Sequence, residues 1–182
     1  MRTFIAIELP EDIKIKLQNL TETFKKCGLD AKWVETKNIH MTLKFLGEVD
    51  EEQLEEIKKS ITTITNQFKS FTVSLTNFGF FPNEKYPRVF FVATDKEEML
   101  KNIAIRLEDG LEKIGFAKEG RFRSHLTLCR FKGTKNIDAL KKEAETIAPQ
   151  GQFPIEGISL FKSTLTSRGP IYEEIFKASL TA

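Results

Sequence analysis

The chain has 182 residues, and its 28 Lys and Arg nearly cancel its 26 Asp and Glu, for a net charge of +2. That balance excludes a polybasic protein that grips nucleic acid by bulk charge. The longest apolar run, Val89 to Ala93, is far below the roughly 18 residues of a membrane span, and two cysteines, Cys27 and Cys129, cannot staple a disulfide scaffold.

Taken in order, Thr3 to Leu9 alternates apolar and polar residues and predicts a strand ending at Pro10. Ile13, Leu17, Leu20 and Phe24 step at helical spacing. Asn38 to Leu46 predicts a second strand. Asp50 with Gln53 resembles a capping box that opens a helix carrying Leu54, Ile57, Ile61, Ile64 and Phe68. Phe71 to Phe81 and Arg88 to Thr94 are rich in β-branched and aromatic residues, with Pro82 to Pro87 between them. Leu100, Ile103, Leu107, Leu111 and Ile114 predict a third helix; Phe122 to Phe131 a strand; Ile137, Leu140, Ala144 and Ile147 a fourth helix. Phe153 to Lys162 and Ile171 to Ala178 read as strands broken by Arg168-Gly169-Pro170. The second half repeats the order of the first. The expectation is an α+β, bilobal, pseudo-twofold duplicated fold: residues 1–182 as one domain of two similar lobes, roughly one half-chain each, with strand exchange between them allowed. Mainly antiparallel sheets line a central cleft, and the amphipathic helices cover the outer faces. Glu8 comes too soon for a secretory leader, so a cytoplasmic protein is expected, without membrane contact.

The only two histidines open the same tetrapeptide: His40-Met41-Thr42-Leu43 and His125-Leu126-Thr127-Leu128. A strand alternates its faces. His40 and Thr42 therefore share one face and Met41 and Leu43 the other, and the second motif behaves alike. A single His-x-Thr is usually structural; two copies that use every histidine, in matching halves, point to a cleft lined by two imidazoles and two hydroxyls. Histidine titrates near neutrality. One imidazole can take a proton from water while the other gives one to a leaving oxygen, and the threonines can hold the non-bridging oxygens of a phosphate. This suits a strained diester such as a 2′,3′-cyclic phosphate, and it needs no metal or cofactor.

These motifs carry a resemblance. Residues 38–49 and 122–130 are similar to the two His-x-Thr-x motifs of the two-histidine phosphoesterase superfamily. Within it, the chain resembles the bacterial and archaeal RNA 2′,3′-cyclic phosphodiesterases, formerly called 2′-5′ RNA ligases. The likeness extends to Arg2 to Ile7, Pro87-Arg88-Val89, Leu160 to Leu165 and Gly169 to Tyr172. It implies His40 as proton donor to the leaving 3′ oxygen, His125 as proton acceptor from water, Thr42 and Thr127 as phosphate holders, and a 2′-phosphomonoester product. The implied substrate is an RNA with a 2′,3′-cyclic phosphate end or a small cyclic nucleotide, handled by a monomer. Two departures stand out. Ser124 replaces the proline usual before the second histidine, which predicts a slightly looser approach to that strand, and Cys129 replaces a small apolar residue.

Four further residues are candidate substrate contacts. Arg130 belongs to the family pattern and to a basic stretch, but by strict alternation it faces away from His125 and reaches the phosphate only through a bulge, a twist or its own length. Lys44 shares the parity of His40 and is expected at the groove mouth. Phe45 and Phe161 can stack on a base, although core packing is the commoner fate of Phe. Cys129 shares the parity of His125, but no other residue supports a covalent cysteine mechanism. Two alternatives stay open: 2′-5′ ligation by the same site, and a non-catalytic nucleotide-binding module.

Overall fold

The computed structural model describes residues Met1–Ala182. The first half runs β1 (Arg2–Ile7), α1 (Glu11–Lys25), β2 (Ala31–Trp33), a 3-10 turn (Thr36–Asn38), β3 (Met41–Glu48), α2 (Glu51–Thr65) and β4 (Phe71–Phe81). The second runs β5 (Val89–Thr94), α3 (Glu97–Glu112), β6 (His125–Phe131), α4 (Ile137–Glu145), β7 (Gln152–Ile155), β8 (Gly157–Thr166) and β9 (Gly169–Ser179). The capping box opens α2 as expected: the Gln53 N–H donates to Asp50 at 2.8 Å, and the Asp50 N–H donates back to Gln53 at 3.1 Å.

The strands form two antiparallel sheets, ordered β3-β1-β8-β9 and β2-β6-β5-β4-β7. Neither sheet is built from one half of the chain. β8 and β9 complete the sheet that β1 and β3 begin, while β4 crosses to lie between β5 and β7, and β2 caps the edge of β6. The stretch Phe153 to Lys162, expected as one strand, breaks at Glu156 into β7 and β8, which join different sheets. β2 was not expected: three residues carry no readable alternation.

The helices follow the exchange. α2 packs on α3 and on β8 and β9, and α3 meets β3. α1, from the first half, turns Phe24 edge-on to Phe78 and Phe90 of the other sheet, at 4.9 and 5.1 Å between ring centroids. One continuous apolar core therefore joins Ile5, Leu17, Met41, Ile61, Phe90, Leu107, Leu126 and Leu160, all buried. Each such side chain contributes about 1.5–3 kcal/mol by leaving water. On the opposite face of the first sheet Phe4, Ala6 and Phe161 form a small separate cluster with Tyr172, and this face lines the cleft.

Candidate active site

β3 and β6 are the strands of the two motifs, and each carries a bulge at the same place. Ile5 pairs with Lys44 and Ala6 with Thr42, which leaves Leu43 as the extra residue. Phe90 pairs with Cys129 and Phe91 with Thr127, which leaves Leu128. A bulge puts two residues against one and reverses the parity beyond it. Before the bulges the alternation holds: Met41, Leu43, Leu126 and Leu128 are buried, while Thr42 and Thr127 line the cleft.

After them the parity inverts. Lys44 lines the His125 side of the cleft but offers no free ammonium there. It is 4% exposed, and its ammonium donates to Glu108 of α3 at 3.0 Å and to the Ala117 carbonyl at 2.7 Å. Phe45, expected in the core, is 60% exposed and lines the cleft beside Thr42. Cys129 turns into the core, where burial pushes its thiol up to about 12 and removes it as a nucleophile. Arg130 comes round by the bulge to line the cleft with Thr127. Phe161 is buried; its ring stacks on Phe4 at 5.2 Å and lies 4.6 Å from the His40 ring, so it supports the histidine and offers no free face for a base.

The two imidazoles are held alike. His40 donates from Nδ1 to the Asn38 carbonyl at 2.9 Å, and His125 from Nδ1 to the Arg123 carbonyl at 2.7 Å. A carbonyl only accepts, so each ring carries its proton on Nδ1 and keeps Nε2 for proton exchange. Each also leans on a pair of phenylalanines from the next two strands: His40 on Phe4 and Phe161, His125 on Phe81 and Phe91. Burial lowers both imidazoles. His40 falls to about 4, opposed by the Asn38 carbonyl and Glu174 and helped by Lys14. His125 is lowered mainly by burial and further by Arg130 and Arg123, against the Arg123 carbonyl and Glu97.

The cleft has two arms that share His40, Thr42, Phe45, Thr127 and Arg130. One, a cavity of about 260 Å³, extends between β2, the 3-10 turn and the β8–β9 turn, past Trp33, Asn38, Arg168 and Tyr172. The other, about 230 Å³, holds His125 with Arg121, Phe122 and Arg123. Asn38 donates to the Pro170 carbonyl at 3.1 Å and so ties the approach to His40 to the β8–β9 turn. Arg123 lies over Phe81 and Phe91, 5.5 and 5.8 Å from their centroids. The sequence reading gave no role to Trp33 or Tyr172. The lone Trp of the chain and the Gly169-Pro170-Ile171-Tyr172 run were the available signals.

Ser124 does not loosen the approach to His125. It is buried, its N–H donates to both oxygens of Glu97, at 3.2 and 3.1 Å, and its hydroxyl donates to Glu97 as well. Proline has no N–H to give. No group of three or more His, Cys, Asp or Glu side chains is placed to hold a metal ion, and no helix is long and apolar enough to cross a membrane.

Comparison with known proteins bears on the family and the fold. The family model described as LigT-like phosphoesterase matches the chain twice, over residues 7–91 and 92–172. The chain is 40% identical to an RNA 2′,3′-cyclic phosphodiesterase of Methanocaldococcus jannaschii, over 96% of this chain and 98% of that one. It is 35% identical to one of Thermotoga maritima, over 97% and 94%. Among solved structures, a Thermus thermophilus protein superposes with a TM-score of 0.82 at 30% identity, covering 99% of this chain and 98% of that one.

Proposed function

Because the chain belongs to the LigT-like phosphoesterase family, we propose that it hydrolyses 2′,3′-cyclic phosphate ends of RNA to 2′-phosphomonoesters by acid–base catalysis between His40 and His125. The observation that carries this reading is the matched state of the two imidazoles. Each is fixed through Nδ1 to a backbone carbonyl, with its motif threonine beside it on the cleft face. The unit of function is the whole of residues 1–182, since each sheet needs strands from both halves.

In-line displacement supports one use of the arms. The attacking water and the leaving oxygen lie on opposite sides of phosphorus, and the leaving 3′ oxygen stays attached to the ribose. The nucleoside therefore lies on the side of the acid. The arm with Trp33, Phe45 and Tyr172 contains His40 and not His125, which supports His40 as the donor and offers aromatic faces to the base. Water then enters on the side of His125, whose neutral form Arg130 and Arg123 favour.

His125 Nε2 takes a proton from water as its oxygen bonds to phosphorus. The P–O3′ bond breaks, and His40 gives the Nε2 proton to O3′. Thr42, Thr127 and Arg130 hold the non-bridging oxygens as charge builds on them. Burial alone leaves His40 neutral, but a phosphodiester anion beside it favours the imidazolium, so substrate and proton arrive together.

The direct test is to incubate an RNA bearing a 2′,3′-cyclic phosphate in the presence of EDTA and identify the product. A 2′-phosphate end is expected. A 3′-phosphate end, or binding with no turnover, defeats the reading. A 2′-5′ link to an added 5′-hydroxyl strand favours the ligation alternative.

A further inference from the structure

His40 and His125 are anchored through the same ring nitrogen, but the backbone that supplies the carbonyl differs. For His40 it ends a 3-10 turn. For His125 it belongs to residues 116–124, which are neither helix nor strand. A segment without its own hydrogen-bond ladder holds a carbonyl in place only if something else fixes it.

Two carboxylates of α3 do so. Glu108 accepts the N–H of Glu119 at 2.8 Å, that of Gly120 at 3.2 Å and the ammonium of Lys44 at 3.0 Å. Lys44 in turn donates to the Ala117 carbonyl. About three helical turns earlier, Glu97 accepts the Ser124 N–H and hydroxyl. That spacing puts both carboxylates on one face of the helix. They pin the irregular segment at its middle and at its end, with Arg123 immediately before the second pin.

We propose that Glu97 and Glu108 are positioning residues for His125: together they hold the Arg123 carbonyl where it keeps the imidazole proton on Nδ1. Neither touches the reacting atoms. If the segment slackens, the ring is free to carry its proton on Nε2 instead, and a protonated Nε2 cannot accept one from water. The loss falls on turnover, because Thr42, Thr127 and Arg130 still hold the phosphate. The proposal rests on the acid–base reading above, but its first readout does not.

With only two histidines, protein labelled with ¹⁵N in its imidazoles gives two ring systems, so His40 serves as an internal control. In the full chain we expect the Nδ1–H form at both. Glu97→Ala shifts His125 alone toward a mixture of tautomers and lowers kcat on a cyclic-phosphate oligonucleotide at least about tenfold, with KM within about twofold. Glu97→Gln removes the charge but keeps one accepting oxygen, so it restores most of both signals. Ser124→Ala gives an intermediate shift without touching the helix. An unchanged His125 tautomer in Glu97→Ala overturns the proposal, as does an equal shift of both histidines, which marks general loosening. If the wild type shows no turnover, the assigned reaction fails while the tautomer result still decides the positioning.

Discussion

β3 and β6 are one backbone design used twice, and they differ where the bulge turns a residue round. Both follow or open on a histidine anchored through Nδ1, both keep threonine on the cleft face, and both bulge at the shared leucine. Beyond the bulge the first strand presents Phe45 to the cleft and hides Lys44; the second presents Arg130 and hides Cys129. In the proposed mechanism the repeated geometry serves as a symmetric proton relay, and the two flipped side chains give it direction. There the aromatic face would receive the nucleoside side, and the cation would sit by the phosphate and His125.

The largest expected effect tests direction at the histidines themselves. His40→Ala and His125→Ala should each lower turnover by about 10²–10⁴. A substrate with sulfur in place of the 3′ bridging oxygen leaves as a thiolate and needs no proton. It should recover most of the rate of His40→Ala and none of that of His125→Ala. Recovery of both, or of neither, breaks the asymmetry.

Next is acid stability. His40 is neutral in the folded protein down to about pH 4, whereas an unfolded histidine takes a proton near 6.5. Between those values the unfolded chain binds the extra proton, so stability falls as pH falls, by about 3 kcal/mol at most from this group. Denaturant titrations at pH 7.5 and 4.5 should show a smaller drop in His40→Asn than in wild type; an identical drop refutes the assignment.

Smaller effects separate the flipped pairs. Arg130→Gln should lower kcat/KM by about a hundredfold, as loss of one charged donor to the developing oxyanion does. Phe45→Leu should raise KM by up to about tenfold and leave kcat in place. If both act on KM alone, the cation serves binding only. Behind the bulges, Lys44→Met should cost about 2 kcal/mol because Glu108 keeps its charge and loses its ammonium. Cys129→Ala, which deletes only a buried sulfur, should cost about 1 kcal/mol. Unfolding curves rank them, and the reverse order denies Lys44 its structural part.

The periodicities made all four helices and most strands legible, and the duplicated His-x-Thr made the pair of histidines legible as a site. Strict alternation failed at Lys44, Phe45, Cys129 and Arg130 for one reason. A bulge at Leu43 or Leu128 needs no special residue, so it leaves no mark in sequence. β2 was too short to show a period, and its partner, β6, lies far along the chain. Glu156 separates two strands of different sheets, yet the residues around it read as one apolar stretch. At Ser124 the φ angle that proline would fix matters less than the N–H and hydroxyl, which bind Glu97, a helix residue distant in sequence.

The crossing of strands between sheets has a consequence for how the protein is made. On the ribosome, β1 and β3 emerge early, yet β8 and β9 that cover the far edge of β1 come last. Through most of synthesis β1 offers an unpaired edge, and β4 waits for β5 and β7. The wall of His40 is unfinished until residues 157–179 are in place, whereas the sheet of His125 closes with β7, so the two histidines are brought together only in a late step. Such long-range closure slows folding and lengthens exposure to aggregation. A chain stalled before β8 should therefore behave as a sticky, inactive fragment and not as a working half.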